Sequence, residues 1–170
     1  TPAIKDIDKI SPVNFLKKNR ISCLVTLPST IDRIKLFNNK LQNLNIKSLL
    51  ICGEPFFYDN LKFIIENIKP KYLFNCYGST ELSPWVFSYR FKQRDYELIK
   101  KVGHVPIGKS FFNVTYAIKK EELVVCGPMV NNYLEKKNNL LNHKKINKQT
   151  WYLTKDKVKK LNNLIFIIGR

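Results

Sequence analysis

Apolar and polar positions along the first half of the chain alternate between two rhythms. Residues 21–27 (Ile-Ser-Cys-Leu-Val-Thr-Leu) read as a buried strand that stops at Pro28. Ser29 is placed to cap a helix, and Ile31, Ile34, Phe37, Leu41 and Leu44 then recur at helical spacing. Residues 48–52 form a second apolar run, stopped by Gly53. Asp59 opens a second helix with Leu61, Ile64, Ile65 and Ile68 on one face, and Pro70 ends it. Residues 72–76 form a third apolar run. Strand, helix, strand, helix, strand with short links predicts parallel βαβ units.

The rhythm changes after Trp85. Residues 86–91 read as a strand. Phe112, Val114, Tyr116 and Ile118 alternate with less apolar neighbours, the pattern of a half-buried strand. Residues 122–126 and 164–168 are two more apolar runs, and Lys- and Asn-rich stretches separate them. The fold class expected is therefore α/β: parallel βαβ units in the first half and an antiparallel, β-rich second half. The expected division is an α/β part over 1–91 and a β-rich part over 92–170.

A chain of 170 residues with 44% hydrophobic residues is enough for a real core. No apolar run approaches the roughly 18 residues of a membrane span, and residues 1–6 show no secretion-signal pattern. Cys23, Cys52, Cys76 and Cys126 show no C-x-x-C pair, and the only histidines are His104 and His143, so zinc is not expected. Each cysteine sits in or beside an apolar run, as small buried residues do, and a reduced, cytoplasmic protein is expected. The net charge is +17, from 30 Lys+Arg against 13 Asp+Glu. Such a charge suits a polyanion partner, whether nucleic acid or an acidic protein. The absence of a nucleic-acid motif and the small share of arginine argue against nucleic acid. A Lys-, Asn- and Ile-rich composition accounts for the charge as well. The lysines at 157, 159 and 160 read as a solvated strand edge that discourages pairing. Trp85, Trp151 and His104 read as packing residues.

Ligands of open α/β sheets bind beyond the carboxyl ends of the strands. Two tetrads fall at such ends: Cys52-Gly53-Glu54-Pro55 and Tyr77-Gly78-Ser79-Thr80, the second followed by Glu81. In order along the chain stand "VTLPS" (25–29), "LLICGEP" (49–55), "NCYGSTE" (75–81), "VPIGKS" (105–110), "ELVVCGPMVNNYL" (122–134), "WYLTKDKV" (151–158) and "IFIIGR" (165–170). In this order they resemble the adenylate-forming superfamily, namely the amino-acid adenylation domains and, most of all, the D-alanine–carrier protein ligases.

The resemblance implies an ATP- and Mg²⁺-dependent reaction in two steps. A carboxylate attacks the α-phosphorus, releases pyrophosphate and leaves an acyl-adenylate. The phosphopantetheine thiol of an acidic carrier protein then takes the acyl group. By the same resemblance Tyr77 stacks on adenine, Gly78 admits the nucleotide to the backbone, and Ser79 belongs to the same loop. Thr80 hydrogen-bonds the α-phosphate, Glu81 holds Mg²⁺, and Asn75 fixes the loop or the adenine edge. Thr80 and Glu81 are the catalytic candidates. Gly53 and Glu54 line the nucleotide and acyl pocket, Asp156 grips the ribose hydroxyls, and Arg170 reaches the ribose. Cys52 either walls a pocket for a small amino acid or is a cysteine ending a strand.

The chain also departs from the family pattern. Ser79 stands for proline, Lys155 for the glycine of Tyr-x-Thr-Gly-Asp, Leu153 for a basic residue and Glu121 for the glycine of Gly-Glu-Leu. A glycine that needs positive φ resists Lys, which bears on Asp156. The family's phosphate loop falls before Thr1, and its hinge and small C-terminal domain fall after Arg170. The resemblance therefore implies the central part of a ligase, inactive alone. Two other readings stand beside it: a degenerate or split-gene remnant without catalysis, and a basic module for a protein or nucleic-acid partner.

Overall fold

The structure, a computed structural model, describes residues 12–36, 41, 44–111, 113–130, 143–146 and 149–170. The strands are β1 (Cys23–Thr26), β2 (Ser48–Cys52), β3 (Tyr72–Ser79), β4 (Ser83–Arg90), β5 (Lys109–Ser110), β6 (Thr115–Lys119), β7 (Glu122–Cys126), β8 (His143–Ile146), β9 (Gln149–Leu161) and β10 (Leu164–Gly169). The helices are α1 (Pro12–Lys18), α2 (Pro28–Lys35), α3 (Tyr58–Phe63) and α4 (Tyr96–Val102). One sheet has the order β1-β2-β3-β4-β5; the other has β10-β9-β7-β6, with β8 also on β9. β1 and β2 pair in parallel, while in the second sheet β10–β9, β9–β7, β7–β6 and β8–β9 are all antiparallel. The expected mixed class, parallel first and antiparallel after, is what the chain adopts.

The chain divides into two compact units: Thr1–Phe74 with Arg90–Val105, and Asn75–Tyr89 with Pro106–Arg170. In the first, α2 buries Ile31 and Ile34, β2 buries Leu49 and Ile51, and α3 buries Leu61. Helix α3 continues as a widened π-helical turn over Ile64–Ile68 and ends where Lys69 takes a left-handed φ of 53°, just before Pro70. In the second unit Leu82, Phe87, Leu123, Val125, Tyr152 and Ile165 lie in one hydrophobic cluster, with Tyr77 and Tyr116 packed against it. Gly108 is obligatory here. Its φ is 82°, and a Cβ would stand 2.1 Å from the Ser88 carbonyl oxygen.

Several local expectations give way. α2 stops at Lys35, so Leu41 and Leu44 lie beyond it, and Phe37 falls outside the described residues. Ser29 is not the cap, because Pro28 already occupies the first turn after the extended Leu27. β1 is not a buried strand: as the first strand in the sheet order it leaves Val25 49% and Leu27 41% exposed. Cys23 is exposed with it, whereas Cys76 and Cys126 are buried and Cys52 is half-buried. The lysines at 157, 159 and 160 are exposed; Lys157 is paired on both sides, with Glu122 and Gly169, while Lys159 and Lys160 pair with β10. Their strand, β9, runs between β10 and β7 and pairs with both. Phe112, expected to open β6, is outside the described residues, as is the stretch 131–142. Trp85 is 36% exposed rather than packed away. His104 meets expectation by forming a bridge with Phe57 and a ring contact at 4.9 Å.

Candidate functional site

The opening of the site lies at the end of β3. The strand runs on to Ser79, and the turn 80–82 closes with Leu82 N donating to Ser79 O at 3.2 Å. Leu82 is fully buried and anchors the turn, which leaves Thr80 exposed and Glu81 half-buried. Tyr77 sets its ring edgewise on buried Phe87, with centroids 5.9 Å apart. Its hydroxyl donates to Asp156 Oδ2 at 2.6 Å. Burial first, and the Asp156 hydrogen bond second, raise the Tyr77 hydroxyl far above its ordinary range, so it stays a donor.

Asp156 comes from the long strand β9, 79 residues further along the chain. Its second oxygen, Oδ1, faces Arg170 Nε at 3.3 Å. The Asp156 side chain is 16% exposed and that of Arg170 71%, so the acid is held while the base reaches solvent. Tyr152, 3% exposed, hydrogen-bonds Glu81. Burial pushes the Glu81 carboxyl up. The opposing pull of Ser79, of its own backbone N–H, of Tyr152 and of the Arg170 charge is greater and holds it below the usual range. Ser79 Oγ is itself buried and makes no full hydrogen bond among the described residues. Tyr77, Glu81, Asp156 and Arg170, four of the residues singled out in the sequence, are thus gathered in the second unit. Tyr152 joins them, although the sequence offered it only as a landmark inside Trp-Tyr-x-Thr.

No family model and no curated protein matches the chain. Solved structures do. The chain is 20% identical to the Vibrio cholerae adenylation domain AlmE in complex with glycyl-adenosine-5'-phosphate, with a TM-score of 0.79 over 98% of this chain and 34% of that one. It is 19% identical to AB3403, a four-domain nonribosomal peptide synthetase bound to AMP and glycine, with a TM-score of 0.77 over 100% of this chain and 13% of that one. It is 16% identical to the artificially fused adenylation–PCP di-domain NpsA-ThdA from Klebsiella oxytoca, with a TM-score of 0.73 over 99% and 33%. The fold is that of part of an adenylation domain. The chain spans about a third of the length of AlmE, at 34%.

Within this adenylation-domain fold the remaining residues divide by unit. In the second unit Asn75 is buried and its Nδ2 donates to Pro106 O at 3.0 Å, which pins the loop that precedes β5. Gly78 lies inside β3 rather than in a turn. In the first unit Cys52 ends β2 half-buried, its Sγ 3.9 Å from Thr26 O. Gly53 adopts φ 82°, and a Cβ there would stand 2.8 Å from Leu27 Cδ2. Glu54 accepts from Ser29 N at 2.9 Å and from Ser29 Oγ at 3.0 Å. Both its oxygens thus serve the start of α2, where a negative charge is favoured.

Proposed function

We propose that the chain supplies the nucleotide-holding segment of an ATP-dependent ligase. That ligase activates a small amino acid, D-alanine or one like it, as its aminoacyl-AMP and passes it to the phosphopantetheine thiol of an acidic carrier protein. The observation that carries this reading is the convergence of Tyr77, Glu81, Tyr152, Asp156 and Arg170 in one compact unit of an adenylation-domain fold. The small amino acid is supported by AlmE and AB3403, which bind glycyl-adenosine-5'-phosphate and AMP with glycine. The carrier is supported by the net charge of +17, which suits an acidic partner.

The residues present fit these roles. Tyr77, its hydroxyl fixed by Asp156, holds its ring in one orientation, as a stacking platform for a base requires. A carboxylate offers about four lone-pair sites, so Asp156 has capacity for ribose hydroxyls beside Tyr77 and Arg170. Thr80 is exposed at the turn next to Glu81, which leaves its hydroxyl open for the phosphate contact proposed for it. Among the described residues no three His, Cys, Asp or Glu side chains gather as a metal cage. That fits Mg²⁺, which is commonly bound by one or two carboxylates together with substrate phosphates. Glu81 is held in its charged form and provides that carboxylate. Glu81 would hold Mg²⁺, which would supply charge stabilisation to the phosphate oxygens. Lys155, which stands for a glycine in the resembling pattern, adopts φ 62° and leaves Asp156 bonded to Tyr77, which supports the ligase reading over that of a remnant.

The test is amino-acid-dependent exchange of pyrophosphate into ATP, by the polypeptide at its native length. Exchange with a small amino acid, lost in Glu81→Ala, is expected. Exchange that persists in Glu81→Ala removes Glu81 from the metal. No exchange with any amino acid removes the reading.

A further inference from the structure

Strand β9 carries two residues more than its partner β7 needs. Glu122 pairs with Lys157 and Val124 with Leu153, so a two-residue step on β7 faces a four-residue step on β9. Such a bulge frees backbone groups that the ladder would have used, and each buried one must find another partner. Side chains supply the partners. Thr154 Oγ1 donates to Leu123 O at 2.7 Å, and the same oxygen accepts from Asp156 N at 3.1 Å. Thr154 is 3% exposed, so neither bond is shared with bulk water. Glu122 Oε1 accepts from Lys155 N at 2.9 Å. The backbone ladder resumes where Val158 N donates to Glu121 O at 2.7 Å.

At the centre of the bulge Lys155 sits at φ 62°, a conformation a side chain resists. Its own side chain is exposed and gives nothing back. We propose that Glu122 and Thr154 are positioning residues that hold this bulge closed and so present the Asp156 carboxylate to Tyr77, to Arg170 and to the hydroxyls of a bound ribose. The part concerning ribose rests on the function proposed above; the part concerning Tyr77 and Arg170 does not. The two residues act by different bonds. Glu122 fixes the left-handed residue from across the strand pair, and Thr154 ties the bulge to β7 while capping the Asp156 amide. Together they take the place of the glycine that would adopt this bend freely.

The experiment uses the chain itself and two readouts. The Tyr77 hydroxyl proton, buried and bonded to a carboxylate at 2.6 Å, gives a slowly exchanging NMR resonance, assigned by its absence in Tyr77→Phe. Glu122→Ala and Thr154→Val are expected to lose that resonance, while Glu122→Gln, whose amide oxygen still accepts from Lys155 N, keeps it. A resonance unchanged in Glu122→Ala and in Thr154→Val overturns the proposal. Should the alanine variant not fold, Glu122→Asp takes its place with the same two outcomes, since its carboxylate falls one methylene short. The second readout is titration with AMP and 2′-deoxy-AMP. The wild-type chain is expected to prefer AMP by about tenfold, the worth of a hydrogen bond to a charged group, and Glu122→Ala to lose the preference. If the wild-type chain shows no preference, the nucleotide role of Asp156 falls, and the hydroxyl resonance still decides the positioning.

Discussion

Glu54 and Glu81 occupy turns that look alike in sequence. Each follows an apolar strand, each stands one to three residues after a glycine, and each has a hydroxyl or small residue beside it. Their surroundings differ in what consumes the carboxylate. Glu54 places both oxygens on Ser29, one on its backbone N–H and one on its hydroxyl, and so completes the first turn of α2. Glu81 draws on a buried tyrosine, its own amide and a solvent-reaching arginine, at the tip of a hairpin. A carboxylate whose partners are the ends of a helix is part of the scaffold. One whose partners are side chains of a cluster is free to exchange some of them for a ligand. The turn alone does not separate these cases; the identity of the donors does.

The comparison breaks most sharply in catalysis. Glu81→Ala is expected to lower pyrophosphate exchange by about 10²-fold or more, the usual loss when a group that stabilises developing charge is removed. Glu54→Ala is expected to leave exchange within about twofold once protein is held folded, since its effect is on the helix start. Equal losses in the two variants would erase the distinction.

Two left-handed glycines, Gly53 beside Glu54 and Gly108 in the other unit, extend the comparison to stability. Gly108→Ala forces a Cβ against the Ser88 carbonyl at 2.1 Å, and backbone there cannot swing aside. A left-handed φ and an overpacked contact together are expected to cost about 3 kcal/mol in urea unfolding. Gly53→Ala meets only the Leu27 side-chain tip at 2.8 Å, so about half that cost is expected. Glu54→Ala follows at about 1 kcal/mol, the worth of a lost cap, measured by the same unfolding. Glu54→Gln is expected to recover part of it, because the amide oxygen still accepts one bond.

Acid gives a further test of Glu81. The folded-state Glu81 carboxyl is held below the ordinary value of 4.5. Its contribution to stability is therefore complete above that value and is lost as pH falls through the depressed folded one. The acid limb of a stability profile is expected to flatten in Glu81→Gln, and an unchanged limb would mean that other carboxylates set it.

Much of the fold could be read from spacing, and the failures share a cause. β7 was legible because residues 123–126, Leu-Val-Val-Cys, are apolar and buried on both faces. β9 was not, because lysines at alternate positions dilute its pattern while Tyr152, Thr154 and Val158 stay buried. α4 escaped because only Ile99 of its seven residues is buried, too few to show a period. In the site, Tyr77, Glu81, Asp156 and Arg170 were legible as motif letters. Tyr152, Thr154 and Glu122 were not legible as actors, since their roles come from the register between β7 and β9. Register depends on pairing across more than thirty residues, as in the Thr154–Leu123 separation of 31.

The departures from the family pattern give the finest test of that lesson. Lys155 and Glu121 stand where the resembling sequence pattern has glycines, and both adopt left-handed φ, 62° and 65°. Both residues hold a bend that glycine would take without strain. If tertiary bonds hold the bend, Lys155→Gly removes a local penalty of about 1–2 kcal/mol, partly offset by the greater freedom glycine has when unfolded. A net stabilisation of roughly 0.5–1 kcal/mol in urea unfolding is expected, with the Tyr77 hydroxyl resonance unchanged, because Glu122 still holds the amide. A stability loss would mean that the Lys155 side chain contributes to the bulge after all. A lost resonance would mean that Lys155, rather than Glu122 and Thr154, sets where Asp156 stands.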